Sequence, residues 1–199
     1  MSNPTPIAIT TLCAVVLCWM AFAAIFIFRR KPPKQQEAKR DRMSLLGIVL
    51  QGVAYFLVWF QPPGKPFLPP VAVLSGTVGI LFYTCTVALA VASVWLVAAA
   101  VRTLGKQWAF AARLVEGHKL ITAGPYGFVR NPIYTGMLGM LVATGLAMEH
   151  WTALDVAVVV FAVGLVIRVR SEEKLLRAAF GKEFEEYAQR VPAVLPGIY

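Results

Sequence analysis

"PIYTGMLGMLVATGLAMEHWTALDVAVVVFAVGLVIR", residues 132–168, holds two apolar runs, 132–148 and 152–168, separated only by "EHW". As helices each reaches about 24 Å, barely enough to cross a hydrocarbon core of about 30 Å. The short link makes the pair read as a tight helical hairpin. Gly136, Gly139, Ala143 and Gly145 would let its backbones approach closely.

The rest of the chain has the same character. Of 199 residues 58% are apolar and 15% charged, against about 45–50% and about 25% for soluble domains. The excess is blocked into runs, which implies a membrane protein. Residues 7–28 form an uncharged run of 22 followed by "RRKPPK". Because "MSNPTP" lacks a positive n-region, this run reads as a span and not a cleaved signal peptide. A second span is expected over roughly 44–60, ended by the proline-rich "QPPGKPFLPP" (61–70), which cannot continue a helix. The third run, 71–101, is 31 residues long and should tilt or project from the bilayer.

Lysine and arginine number seven in 29–43, one in 61–70, five in 102–131, none in "EHW" and six from 168 onward. This alternation predicts five spans, with the N-terminus outside and the C-terminus in the cytoplasm. It also accounts for the net charge of +9 without a nucleic-acid partner. Cys13, Cys18 and Cys85 lie inside apolar runs with no CxxC or histidine pair, so neither a disulfide nor a metal site is expected. The first three spans carry no deeply placed ionisable side chain, and no internal repeat is visible. Both observations argue against transport.

Chemistry should therefore reside where polar residues collect, in two cytoplasmic stretches. "GHKLITAGPYGFVRNPIYTG" (117–136) is crowded with breakers: Gly124-Pro125, Gly127 and Asn131-Pro132. Pro132 suits the first turn of a helix, whose N-terminal N–H groups can receive an anionic ligand group. "RVRSEEKLLRAAFGKEFEEYAQRVPAVLP" (168–196) puts Arg168 and Glu172 at i,i+4 on one helical face. Leu175, Leu176, Ala179 and Phe180 form an amphipathic stripe. Gly181 should end or bend that helix, and a short second helix carrying Phe184 and Tyr187 should stop at Pro192. A plain connector with interfacial tyrosines and a snorkelling arginine is the alternative reading.

These two stretches, in this order around a hairpin, resemble the isoprenylcysteine carboxyl methyltransferase and phospholipid methyltransferase superfamily over residues 104–196. The resemblance implies an all-α integral membrane enzyme: five transmembrane helices, spans four and five as a hairpin, plus C-terminal amphipathic cytoplasmic helices. It divides the chain into N-terminal transmembrane helices (1–101) and a catalytic part (102–199). The implied cofactor is S-adenosylmethionine, contacted by His118, Lys119, Leu120, Ile121, Tyr126, Asn131, Pro132, Ile133, Tyr134 and Glu172. Arg168 is implied as the contact for a substrate carboxylate. The implied partners are membrane lipids and a lipidic or prenylated-cysteine acceptor, methylated at the cytoplasmic face. One departure stands out: Asn131 occupies a place where the carboxyl methyltransferases usually have histidine. N-methylation of a phosphatidylethanolamine-type headgroup is thus the second reading, and a non-enzymatic membrane scaffold the third. For an amine acceptor, His118 is the only candidate base on the cytoplasmic side.

Overall fold

A computed structural model describes residues 5–28, 37–40, 43–60, 76–105, 113–115 and 120–194. Its helices are α1 (Pro6–Ile27), α2 (Met43–Trp59), α3 (Gly76–Leu104), α4 (Pro132–Ala147), α5 (Trp151–Phe180) and α6 (Lys182–Arg190). In a bilayer every backbone N–H and C=O must be satisfied within the chain, and long uncharged runs meet that condition as helices. Three of them (α1, α3 and α5) are long and apolar enough to cross a membrane, while α2 and α4 are apolar but shorter. Leu17, Met20, Phe56, Ile80, Trp95 and Val159 point outward, the surface expected of a multi-pass membrane protein facing lipid.

The helices pack as two pairs, α2 along α5 and α3 along α4. α4 joins the pairs through its contact with α5, and α1 lies against α3 and α4. One apolar core holds Ala54, Leu141, Phe161 and Leu165 between α2, α4 and α5. A second holds Val15, Ala90, Met140 and Ala143 between α1, α3 and α4. Two polar side chains at this depth pair within the chain. The Trp19 indole donates to Thr144 Oγ1 at 3.0 Å, and the Tyr55 hydroxyl donates to the Met137 carbonyl at 2.8 Å.

Three features differ from what the sequence led us to expect. The small residues of α4 do not all serve the hairpin. A Cβ on Gly145 would meet the Leu154 side chain, but one on Gly136 would fall 2.8 Å from Ser93 O of α3. Gly139 likewise faces Ser93, so these two glycines bring α3 and α4 together. The fifth span and the expected amphipathic helix are also one uninterrupted α5. Nothing between 151 and 180 breaks helix geometry, and the rod ends only at Gly181 (φ +51°), whose N–H caps Arg177 O at 3.0 Å. Finally, Glu37–Arg40 and Arg113–Val115 pair as a two-stranded antiparallel ribbon, β1 and β2, an addition to an otherwise helical fold. The proline-rich loop 61–70 and the start of the third run, 71–75, lie outside the described residues.

The α4–α5 turn is pinned by polar contacts of its own. Glu149 takes a left-handed backbone (φ 54°) and accepts a 2.5 Å hydrogen bond from the Tyr83 hydroxyl. His150 Nδ1 lies 3.4 Å from Val58 O. The turn thereby fixes α4 against α5 at one end, and the polar residues of the two motifs meet at the other.

Candidate active site

The site is assembled from α2, α4 and the inner part of α5. The breaker-rich segment folds as a single 3-10 turn, Gly124–Gly127, and Asn131 then precedes α4 with Pro132 at its first position. Gly124 has a positive φ of 60° close to Thr103 of α3, a conformation that favours glycine. Tyr126 is thereby turned inward and buried, and its carbonyl accepts a 2.6 Å hydrogen bond from the Tyr187 hydroxyl. Burial and then the nearby Glu172 and Tyr187 hold the Tyr126 phenol well above its ordinary range. The Tyr187 phenol is pushed up to about 12, chiefly by burial, with Arg130 working against the shift.

From the first turn of α4, Tyr134 is buried and its hydroxyl donates to Glu172 Oε1. Arg168, one turn before Glu172 on α5, is 6% exposed. Its guanidinium carbon sits 4.6 Å from the Tyr134 ring centroid and its Nη2 3.8 Å from Glu172 Oε1. Sequence reading brought Arg168, Glu172 and Tyr134 together, and the structure places them in one cluster. The Glu172 side chain keeps 28% exposure against 7% for Arg168, so the cluster is more accessible at Glu172 than at the arginine.

The opposite side of the cluster was not legible in the sequence. Gln51 of α2 is 2% exposed, and its Oε1 accepts from Arg168 Nη1 at 3.1 Å. Two glycines allow this contact. A Cβ on Gly47 would collide with the Arg168 side chain and Gly164 O, and one on Gly164 would lie 2.8 Å from Gly47 O. α2 and α5 thus touch backbone to backbone directly beside the arginine. The only sequence signal was one carboxamide inside an apolar span.

Arg130 and Asn131 play a different part from the rest of their motif. Arg130 donates to Glu173 Oε1 through Nε (3.1 Å) and Nη2 (2.7 Å), and through Nη1 to the carbonyls of Ala188 and Val191. The Arg130 N–H donates to Pro192 O at 2.8 Å. Asn131 donates to Ala193 O from both its backbone and its side-chain nitrogen, each at 2.9 Å. Thr135 Oγ1 then reaches Val194 O at 2.9 Å. Together these bonds stitch the 191–194 tail onto the start of α4. One of the two side-chain N–H groups of Asn131 is thus taken by the chain itself.

Pro132 is buried at the head of α4, and Ile133 packs with Val97 and Val101 of α3 as well as with the α2–α4–α5 core. Leu120 and Ile121 are half-buried just before the 3-10 turn, whereas His118 and Lys119 lie outside the described residues. Among the described residues no group of three or more histidine, cysteine, aspartate or glutamate side chains could hold a metal ion.

A helical membrane bundle with tyrosine, arginine and glutamate gathered at one end of a helical hairpin has a counterpart among known families. The phospholipid methyltransferase family matches residues 81–183, just over half of the chain, and the chain belongs to that family. It is 40% identical to protein-S-isoprenylcysteine O-methyltransferase B of Arabidopsis thaliana over 42% of this chain and 43% of the relative. It is 37% identical to a probable protein-S-isoprenylcysteine O-methyltransferase of Oryza sativa subsp. indica over 50% and 53%, respectively. The cobalt-zinc-cadmium resistance protein CzcN of Cupriavidus metallidurans is 35% identical over 47% of this chain and 44% of its own length. The chain spans about half the length of the curated relatives it matches.

Proposed function

We propose that this chain is an S-adenosylmethionine-dependent membrane methyltransferase that esterifies the carboxylate of a lipidic acceptor, an isoprenylated cysteine or a similar amphiphile. In this reading all five apolar helices, the shorter α2 and α4 included, cross the membrane. The N-terminus is outside, and the cluster around Glu172 opens to the cytoplasm. The observation that carries the reading is the buried Arg168 guanidinium, set between Tyr134, Glu172 and Gln51 at the head of the hairpin.

The side chains present suit both reactants. A sulfonium and an ammonium call for aromatic faces and a carboxylate, which Tyr126, Tyr134 and the partly open Glu172 provide. Asn131 Oδ1 suits an adenine amino group, and the segment His118–Ile121 would lie along the cofactor. When bound, S-adenosylmethionine supplies an electrophilic methyl group on sulfur.

The protein's own task is to bind, align and dehydrate. Arg168 can hold a carboxylate through its planar fork of N–H donors, fixing which oxygen faces the methyl donor. Glu172 and the Tyr134 ring hold that fork in place. A carboxylate is already a nucleophile and needs no base, so rate enhancement comes from proximity and from loss of water around the oxygen. In this reading a greasy acceptor reaches Arg168 sideways from the bilayer.

The family's phospholipid description and Asn131 favour the second reading, N-methylation of a phosphatidylethanolamine-type amine. Methyl-labelled S-adenosylmethionine, given to the protein in membranes with a prenylcysteine, separates the two. Label released by mild alkali as methanol is expected for a carboxyl ester. Label that survives alkali and stays in the lipid extract would mean methylation at nitrogen.

A further inference from the structure

The Arg168 contact also determines which way Gln51 is turned. Arginine has only donors, so the Gln51 atom 3.1 Å from Arg168 Nη1 is the carboxamide oxygen. The amide nitrogen is therefore the other edge of the same planar carboxamide, the one not taken by that Nη1. That nitrogen is fully buried and, among the described residues, has no hydrogen-bond partner. Buried donors left without an acceptor are rare in folded proteins, and where one persists it needs an explanation. The donor in question sits on the same small group that holds the arginine. A carboxylate has two oxygens, so one placed on this donor leaves the other for the neighbouring guanidinium.

The surroundings are built to put it there. Gly47 and Gly164 bring the α2 and α5 backbones into contact, and a Cβ on Gly164 would come 3.3 Å from Gln51 Cγ. The buried face of α2 runs Ser44, Gly47, Gln51, Ala54, Val58, so Gln51 is its one large polar member. A glutamine serving only to pack would be better replaced by leucine at this depth.

We propose that Gln51 is the second donor of the acceptor site. Its Oε1 sets the Arg168 guanidinium, and its Nε2–H binds an oxygen of the acceptor's carboxylate alongside that guanidinium. The proposal rests on the carboxylate reading above. It makes α2, outside the stretch that resembles the methyltransferases, a contributor to substrate choice. A neutral ester cannot repay both donors as an anion does, so the pair favours the acid substrate over the methylated product.

The test measures binding of an N-acyl prenylcysteine acid and of its methyl ester to the full chain in phosphatidylcholine nanodiscs. S-adenosylmethionine binding serves as the check of an intact fold. In Gln51→Glu an oxygen still faces Arg168, but a second oxygen replaces the amide donor. The assay runs at pH 8, well above the ordinary carboxyl range. Acid binding should weaken roughly ten- to a hundredfold, with ester and cofactor binding within about twofold of wild type. Gln51→Leu and Gln51→Met remove the donor without adding charge; should Gln51→Glu not fold, they are read the same way, with a smaller loss expected.

If wild type prefers acid to ester and the Gln51 variants keep that preference, this proposal falls and the carboxylate reading stands. A wild type with no such preference would overturn the carboxylate reading and this proposal together.

Discussion

Glu172 and Glu173 are neighbours on α5 with the same chemistry, yet they belong to two different regions. Glu172 faces α4 and meets Tyr134 and Arg168, with part of its side chain still exposed. Glu173 faces the opposite way and is closed in by Arg130 and by Arg177 at 3.0 Å. One step along an α-helix is a rotation of about 100°, and that step separates a site open to a ligand from a lock that closes the fold. In the lock Arg130 and Arg177 both close on Glu173, and Arg130 also on the carbonyls of Ala188 and Val191. In the site the matching is incomplete, as the Gln51 amide nitrogen shows. An unmet polar atom beside a held charge marks the region that has something left to bind.

The sharpest way to break this comparison is to remove charges on each side and read activity and stability separately. Arg168→Ala should lower acceptor turnover by roughly 10²–10³-fold, comparable to the loss of a key oxyanion contact, while S-adenosylmethionine affinity stays within about threefold. Glu172→Gln should instead weaken the cofactor's Kd by roughly tenfold or more. Isothermal titration beside the methyl-transfer assay checks both. An Arg168→Ala enzyme that keeps its turnover would remove the arginine from the chemistry.

Glu173→Gln should act in the reverse sense. It takes the charged partner from a nearly buried Arg130, at a cost of about 1.5–3 kcal/mol in stability. Thermal unfolding in detergent should show a lower Tm, while turnover per folded molecule is preserved. Loss of turnover without loss of Tm would mean that the two faces of α5 are not separate in function. The smallest effect belongs to Glu185→Gln. The Arg177–Glu185 pair spans 2.9 Å but is about half exposed on both sides, so less than about 1 kcal/mol is expected, and raised salt should shrink the difference further.

Much of this architecture was readable beforehand because lipid enforces it. Long uncharged runs in a bilayer have few alternatives to helix, and breakers such as Gly124-Pro125 and Asn131-Pro132 mark where helices cannot be. The i,i+4 spacing of Arg168 and Glu172 is local, so their shared face followed from helix geometry alone. What escaped was non-local. Gln51 meets Arg168 across 117 positions of chain, and a single glutamine in an apolar span has no period to betray it. The bond from Asn131 to Ala193, 62 positions on, leaves no trace in either motif. The end of the fifth helix was placed at the onset of charge, although helix geometry is indifferent to charge and stops here only at Gly181. The β1–β2 ribbon is three to four residues per strand, too short for alternation to signal.

The unbroken course of α5 has a consequence for how this chain can change over time. From Trp151 to Phe180 the helix passes from the α4 turn, past the Gly164 contact, through Arg168 and Glu172, to the Glu173 lock without a joint. No loop inside it could absorb an added or missing residue. One inserted residue between Gly164 and Arg168 would turn everything beyond it by about 100°, carrying Arg168 away from Gln51 and unseating Glu173 from Arg130. Substitutions along this rod can be tested one at a time, but its length is locked in register. Length variation is tolerable only beyond a joint, and the first one after the site is Gly181.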